Sequence, residues 1–304
     1  MRKFPILLTL LLSATLLSYS QSTDSIRTAW GHLYYHLYGK GEPVIVLSGG
    51  PGNSCLQQAE VAAELGKTHQ AVLLEQRGTG LSIPVPMDST TINLKAAVED
   101  VRLLMDHLHL SKVTIYGHSW GAMLAMNFAV TYPQRVKKLV LACPGYYKFD
   151  PGFFTTHINN LRVRMGLREI GRYDSLEKKI AAHQAIKADS VEYNRIIRMS
   201  YIYNKTMIDS MLKKIDVAPS NTTMQMLMIQ DLNRTHYDLS KTLPRYKGPM
   251  YVIGGAQDAL SFYTYELKQV HPSAVLYWIQ GSGHFPMFEQ QKAFFETLKK
   301  TLQP

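Results

Sequence analysis

The stretch VTIYGHSWGAMLAM, residues 113–126, decides the fold class of this chain. Val113 to Tyr116 form a short apolar run typical of a buried strand, and Ala122 to Val130 follow as an apolar helix. Between them stands the pattern Gly-x-Ser-x-Gly, whose two glycines leave room for a very tight turn around Ser119. The sequence therefore predicts a strand, a sharp turn and a helix in direct succession, with the Ser119 hydroxyl exposed at the turn.

Strand and helix patterns alternate on both sides of that stretch. Further strand patterns lie at 30–38, 44–47, 72–74, 136–142, 250–253 and 275–279, and helical patterns at 56–65, 94–108 and 288–302. Asn93 is predicted to cap the second of these helices. Most strand patterns are continuously apolar, which is typical of parallel strands buried on both faces. The sequence therefore predicts an α/β fold with a mostly parallel sheet covered by helices.

The alternation is interrupted between residues 146 and 245. This segment contains helical stretches rich in Tyr, Met, Lys and Arg, and it has no pattern of a buried strand. We therefore predict one α/β core, formed by residues 21–145 and 246–304, into which residues 146–245 are inserted as a helical cap.

The N-terminal residues have the composition of a secretory signal peptide. Arg2 and Lys3 supply positive charge, residues 6–17 are apolar, and residues 18–20 fit a small-x-small cleavage site. The prediction is a signal peptide over residues 1–20 and an exported protein, periplasmic or secreted, whose mature chain begins near Gln21. The apolar run is shorter than the roughly 20 residues of a bilayer span, so no membrane span is expected in the mature chain.

The overall composition is that of a globular protein, because 46% of the 304 residues are hydrophobic and 18% are charged. The formal net charge is +10, but the basic residues form no dense run, so no nucleic-acid partner is expected. We interpret the two cysteines, Cys55 and Cys143, as small buried side chains, while the sequence leaves open whether they pair. It leaves the oligomeric state open as well.

The predicted chemistry follows from the needs of a serine nucleophile. A serine hydroxyl requires a base to take its proton, and the base requires a carboxylate that fixes its tautomer. In folds with this turn, the chain order is serine, acid, histidine. Asp258 follows the penultimate predicted strand and His284 follows the last one, so both lie at the carboxyl edge of a parallel sheet. We therefore predict Ser119 as nucleophile, His284 as general base and Asp258 as the acid.

Other histidines compete for these roles or suggest a metal. His118 is too close in sequence to bend back onto Ser119, so we interpret it as a packed or hydrogen-bonded neighbour. Two pairs, His32 with His36 and His107 with His109, are spaced like ligands, but no carboxylate or cysteine completes a recognisable pattern. No metal site is predicted.

The transition state also needs hydrogen-bond donors for its oxyanion. The backbone N–H of Trp120, directly after the nucleophile, is one candidate. The second is expected from the glycine-rich loop after an earlier strand, and we assign it to Gly50. A simple chain turn is the alternative role for this loop.

Three sequence blocks resemble the proline iminopeptidases, a family of α/β-hydrolases that are serine aminopeptidases. The blocks are SGGPG at 48–52, EQRGTGLS at 75–82 and the turn around Ser119; the family forms of the first two are HGGPG and DQRGxGxS. The resemblance implies the α/β-hydrolase fold, the predicted triad and oxyanion donors, a cap over the site, and no metal or organic cofactor. It also implies a small-molecule or short-peptide substrate whose N-terminal residue is released through an acyl-enzyme.

Substrate recognition is where the sequence departs from that family. Family members bind the free amine of the substrate through acidic cap residues, often near a tryptophan-glutamate motif. All three tryptophans here lie outside the predicted cap. Glu169, Glu177 and Glu192 are the candidate amine binders, although neighbouring basic residues are also typical of solvated helix surfaces.

Two other functions stay open at this point. A carboxylesterase or lactonase would use the same nucleophile, base and oxyanion donors. A non-catalytic ligand-binding homologue would keep the fold, but the three intact triad residues argue against it. An aspartate nucleophile, which epoxide and haloalkane hydrolysis require in this fold, is absent because Ser119 stands at that position.

Overall fold

The computed structural model describes residues 21–303. The strands are β1 Gln21–Thr28, β2 Gly31–Tyr38, β3 Pro43–Leu47, β4 Gln70–Leu74, β5 Val113–His118, β6 Val136–Ala142, β7 Met250–Gly255 and β8 Val275–Ile279. The helices are α1 Ala59–Leu65, α2 Leu94–His107, α3 Trp120–Thr131, α4 Pro151–Arg162, α5 Leu167–Ala181, α6 Lys187–Tyr201, α7 Ile208–Ile215, α8 Thr222–Arg234, α9 Ser261–Val270, α10 Pro286–Glu289 and α11 Gln291–Leu302. Short 3-10 turns occupy Cys55–Gln58, Pro133–Arg135, Lys205–Met207 and Leu243–Arg245.

All eight strands form one sheet in the order β1-β2-β4-β3-β5-β6-β7-β8. β1 pairs with β2, and β2 with β4, in antiparallel fashion; every other neighbouring pair is parallel. The prediction of a mostly parallel α/β sheet covered by helices is confirmed. β5 lies in the interior of this sheet, so the turn at its carboxyl end is flanked by β3 and β6.

The sheet is buried on both faces, which explains why its strand patterns are continuously apolar. In β3, Ile45 and Leu47 belong to one hydrophobic cluster, whereas Val44 and Val46 belong to the cluster on the opposite face. Successive side chains of a strand point to opposite faces, so a strand between two helical layers must be apolar at every position. The prediction that Asn93 is the N-cap residue of α2 is also confirmed, because its side chain accepts a hydrogen bond from the N–H of Ala96 at 2.9 Å.

The structure differs from the predicted elements at both ends of the chain. β1 was not predicted, because its first four residues are exposed and show no alternation; it pairs along the edge of β2. The predicted last helix is divided at Gln290 into α10 and α11. The predicted signal peptide, residues 1–20, lies outside the described residues, so export stays a prediction. Between residues 21 and 303, no helix has the length and apolarity that crossing a membrane would require.

Helices α4 to α8 form the segment between β6 and β7. The last of them, α8, packs on the sheet layer: Met224, Met228 and Leu232 belong to the main hydrophobic cluster. α5 and α6 instead share a small separate cluster around Tyr173 and Leu176. The inserted segment therefore packs on the core through two helices, since Met211, Leu212 and Ile215 of α7 belong to the hydrophobic cluster on the opposite face of the sheet.

We expect Gly121→Ala to destabilise the fold. A methyl group on Gly121 would lie 2.2 Å from the carbonyl oxygen of Leu47, where two main chains meet and neither can yield. The expected loss is about 1–3 kcal/mol of unfolding free energy, measured by urea denaturation.

Gly171→Ala is the matched control. Gly171 lies within α5, and a methyl group there would meet nothing within 4 Å. This variant is expected to gain about 0.5–1 kcal/mol, because alanine favours the helix. Equal effects of the two substitutions would contradict the packing argument.

Candidate active site

Ser119 occupies the sharp turn between β5 and α3. Its backbone has φ 54° and ψ −115°, a conformation that residues with a side chain rarely adopt. The turn closes so tightly that a methyl group on Gly117 would lie 2.4 Å from the carbonyl oxygen of Gly121. This geometry places Ser119 in the lining of two cavities.

The structure brings the three predicted triad residues into one hydrogen-bonded row. Ser119 Oγ lies 2.9 Å from His284 Nε2, and His284 Nδ1 lies 2.7 Å from Asp258 Oδ2. Asp258 follows β7 and His284 follows β8, so both reach Ser119 from the carboxyl ends of neighbouring strands. Because a carboxylate accepts hydrogen bonds, Nδ1 carries the proton of a neutral His284 and Nε2 is free to accept one from Ser119.

Asp258 remains a carboxylate although it is buried. Burial by itself would raise its pKa, but the charge and hydrogen bond of His284 outweigh burial, and the pKa of Asp258 is lowered. The N–H of Leu260 adds a further hydrogen bond at 3.0 Å. The acid is therefore ionised at neutral pH and able to stabilise a protonated imidazole.

The backbone around His284 is held from three directions. Its N–H donates to the carbonyl oxygen of Tyr201 in α6 at 3.0 Å, and its own carbonyl accepts from His118 Nε2 at 2.9 Å. The preceding N–H, from Gly283, donates to buried Glu289 at 2.6 Å. His118 is thus a hydrogen-bonded neighbour, as its position suggests. Glu289 has no sequence signal for this role, because its partners lie far apart in the chain.

The two predicted oxyanion donors belong to the elements that adjoin Ser119 in the large cavity. Trp120 is the first residue of α3, so its N–H has no acceptor within that helix. Gly50 lies in the loop after β3 with φ 131°, a conformation that favours glycine. Both residues line the same cavity as Ser119, and their role as oxyanion donors stays a prediction.

Two cavities meet at Ser119. The large cavity, about 560 Å³, is lined by Gly50, Pro51, Ser119, Trp120, Met123, Gly145, Tyr146, Phe149, Pro151, Phe154, His157, Ile158, Leu161, Tyr193, Ile197, Tyr201, Gln225, Ile229, Leu232, Asn233 and Leu260. The small cavity, about 160 Å³, is lined by Gly49, Gly50, Asn53, Gln57, His118, Ser119, Asn194, Ile197, Arg198, Tyr201, Ile215, Ser220, Thr222, Gln225, His284 and Phe285. The large cavity is mainly apolar and aromatic, and the small one mainly polar. Within residues 21–303, no Asp or Glu contributes to either lining.

The three glutamates predicted as amine binders lie away from both cavities. Glu169 caps the first turn of α5, where its side chain accepts from a backbone N–H. Glu177 accepts from the hydroxyl of Tyr173 at 3.3 Å, and Glu192 forms an ion pair with Arg172 at 2.6 Å. Each carboxylate is satisfied by its own or a neighbouring helix, so the structure does not bring these residues to a substrate.

Two groups of described residues hold metal-ligand atoms close together. His36, Cys55 and Glu75 form one, and Cys143 joins Asp258 and His284 in the other. Sequence spacing misses the first group because its members come from three separate segments. Burial raises the pKa of both thiols, so each cysteine is protonated at neutral pH in the protein without a metal. Cys55 and Cys143 form no disulfide.

His157 of α4 lies in the large cavity between two tyrosine hydroxyls. Its Nδ1 is 2.6 Å from Tyr146 Oη, and its Nε2 is 2.8 Å from Tyr201 Oη. The ring of Tyr201 in turn packs against His284, with ring centres 4.8 Å apart. Burial, assisted by the charge of nearby His284, lowers the pKa of His157 to about 4. His157 is therefore neutral at neutral pH.

Comparison with known proteins identifies the family to which this fold belongs. A family model described as the alpha/beta hydrolase fold matches residues 42–291. The chain belongs to this family. It is similar in fold to an α/β fold family hydrolase from Bacillus anthracis, with a TM-score of 0.72, 17% identity, and coverage of 93% of this chain and 99% of the other.

Two curated α/β-hydrolase relatives differ in what they match. A cis-3-alkyl-4-alkyloxetan-2-one decarboxylase of Shewanella oneidensis is 25% identical over 268 residues, which cover 83% of this chain and 79% of that protein. A proline iminopeptidase of Heyndrickxia coagulans is 42% identical over 106 residues, or 35% of this chain and 36% of the relative. The chain thus matches little more than a third of that iminopeptidase. It is a hydrolase of the α/β-hydrolase superfamily with the predicted relation to the proline iminopeptidases.

We expect the pH dependence of stability to report on His157. Its pKa is about 4 in the folded protein and 6.5 when unperturbed, so between these values the unfolded chain binds the extra proton. Unfolding free energy should therefore fall as pH falls from 6.5 towards 4, with a contribution of up to about 1.4 kcal/mol per pH unit.

His157→Gln should flatten that slope by up to the same amount, as measured by urea denaturation across this pH interval. A parallel slope in wild type and variant would show that His157 is not held neutral.

Proposed function

We propose that this protein is a serine hydrolase that cleaves carboxylic esters with a bulky apolar acyl group. The observation that carries the proposal is the hydrogen-bonded row of Ser119, His284 and Asp258 at the mouth of the large apolar cavity. The walls of that cavity are mainly Met, Phe, Tyr, Ile and Leu, which suits an acyl group that is largely hydrocarbon.

The first half of the proposed reaction is acylation. His284 Nε2 takes the proton of Ser119 while Oγ bonds to the ester carbonyl carbon, and the carbonyl oxygen becomes an oxyanion. The N–H groups of Gly50 and Trp120 stabilise its charge. The intermediate then collapses: the bond from carbon to the alkoxy oxygen breaks, and the leaving alcohol receives the proton from His284.

The second half is hydrolysis of the acyl-enzyme. A water molecule gives a proton to His284 and adds to the same carbon, which again passes through an oxyanion. Collapse releases the carboxylic acid and returns the proton to Ser119. Asp258 remains ionised throughout, and its role is to orient and stabilise the imidazolium that forms in each half.

The walls of the two cavities favour esters over peptides with a free N-terminus. A substrate ammonium group removed from water needs a carboxylate or several acceptors as partners. Arg198 is the charged side chain in the small cavity, and it already pairs with Asp216. Among residues 21–303, an ammonium group in these cavities would thus meet a cationic side chain and no carboxylate of the lining.

An aminopeptidase is the second candidate. The observation in its favour is the relation to proline iminopeptidases, together with the SGGPG and EQRGTGLS blocks. The polar side chains of the linings, such as Asn194, Gln225 and Asn233, would have to bind the amine through amide oxygens. That arrangement is weaker than a carboxylate, which is why we place this function second.

Ser119→Ala is expected to abolish turnover of phenyl hexanoate while the protein stays folded.

Asp258→Asn should reduce kcat by about 10⁴-fold, because it favours the wrong tautomer of His284. The matched control is Asp209→Asn, the same exchange at a side chain that is 90% exposed on α7. Steady-state kinetics and circular dichroism provide the readouts. Substantial serine-independent turnover, or equal rates for the two Asp→Asn variants, would contradict the assigned roles.

A substrate panel separates the two candidate functions. We expect Ser119-dependent cleavage of phenyl hexanoate, and no preference for free-amine prolyl or alanyl anilides over their N-blocked counterparts. The reason is that no described residue contributes a carboxylate to the cavity linings. Cleavage confined to the free-amine anilides would replace the esterase with an aminopeptidase.

A further inference from the structure

Tyr146, His157 and Tyr201 form a hydrogen-bonded chain. It has three protons that can be donated but only two internal hydrogen bonds, so one proton is unused. Each hydroxyl has one proton, and the neutral imidazole has one N–H and one bare nitrogen. Two hydrogen bonds join the three groups, at 2.6 Å and 2.8 Å. One tyrosine must donate to the bare nitrogen, and the other must accept the N–H. The hydroxyl proton of the accepting tyrosine is therefore left over.

That remaining proton has no acceptor in the described part of the protein. Neither Tyr146 Oη nor Tyr201 Oη forms a hydrogen bond with any group other than His157 between residues 21 and 303. The result does not depend on which nitrogen of His157 carries its proton. Either tautomer leaves one hydroxyl donor unused, and all three side chains line the large cavity.

A second tyrosine chain of the cap shows what a closed arrangement looks like. Tyr193 lines the same cavity, and its hydroxyl lies 3.2 Å from that of Tyr173. Tyr173 donates to the carboxylate of Glu177 at 3.3 Å, so it must accept from Tyr193. Every proton of this chain is used, because it ends on an acceptor. The chain through His157 ends on no acceptor among residues 21–303.

We propose that the free hydroxyl of the Tyr146–His157–Tyr201 chain binds an acceptor oxygen in the acyl part of the substrate. This inference rests on the proposed function and specifies its substrate class: esters whose apolar acyl group carries a carbonyl, ether or hydroxyl oxygen within reach of the chain. A donor inside an apolar cavity is costly to leave unpaired, so the matching oxygen is favoured over a plain hydrocarbon.

The place of the chain next to the triad makes it a specificity element. The ring of Tyr201 packs on the ring of His284, and the backbone carbonyl of Tyr201 accepts a hydrogen bond from the backbone N–H of His284. A substrate oxygen bound by the chain would fix the acyl group relative to the base and to Ser119. Successive hydrogen bonds polarise one another, so the terminal hydroxyl is a better donor than an isolated phenol.

The test measures binding, so that it does not depend on turnover. The probes are phenyl hexanoate and its keto analogues, each with one acyl methylene replaced by a carbonyl. Their affinities for Ser119→Ala are measured by calorimetry. We expect at least one keto analogue to bind about tenfold more tightly than phenyl hexanoate. Tyr146→Phe or Tyr201→Phe, whichever removes the free hydroxyl, leaves the unused proton on the ring of His157, one hydrogen-bond length behind the lost hydroxyl. The ratio for that analogue should therefore fall close to one.

Tyr193→Phe in the same Ser119→Ala background is the control. It removes a hydroxyl from the same cavity whose proton is already used, so the affinity ratio should stay near tenfold. The inference is overturned if no keto analogue binds more tightly, or if the preference survives both Tyr→Phe exchanges. Failure of the proposed function would be seen separately, as wild-type protein that hydrolyses none of these esters.

Discussion

The contact between the start of α3 and the end of β3 is the constraint on which the site depends. Gly121 lies so close to the Leu47 carbonyl that no side chain fits between them. This approach forces the backbone of Ser119 into its strained conformation. The residues that follow β7 and β8 emerge at the same edge of the sheet as Ser119. They can therefore reach its hydroxyl. Sheet order thus determines which acid and which histidine meet the serine.

The helices between β6 and β7 have two physical roles. α8 completes the hydrophobic core, so its removal would expose Met224, Met228 and Leu232. α4 and α6 supply walls of the large cavity and, with Tyr146, the tyrosine chain around His157. α8 has both roles, because Leu232 belongs to the core cluster and also lines the large cavity. Stability and the character of the substrate therefore both constrain α8.

The sequence predicts the parallel core well because buried strands and tight turns have local signatures. Ser119, Asp258 and His284 can be selected from the ends of predicted strands, and the structure places them together. β1 escapes prediction because it is an exposed edge strand whose order comes from pairing with β2. The sequence does not predict the contacts of the cap glutamates for a different reason. Whether a carboxylate bonds to a group on its own helix or faces the cavity depends on how the helices pack against one another.

Glu289 ties the histidine loop to the segment that follows α6. One of its oxygens accepts from Gly283, and the other from Tyr203 and Asn204 at 2.7 Å and 2.9 Å. The same carboxylate thus holds the loop that carries His284 and the segment after α6. The inserted helices therefore cannot be exchanged without affecting the position of His284. A chimaera with another cap would keep the backbone of His284 in place only if it retained residues 201–204 of this chain, which bond to Glu289 and to the backbone N–H of His284. Diversification of this enzyme should accordingly proceed by changes to cavity walls inside the existing cap.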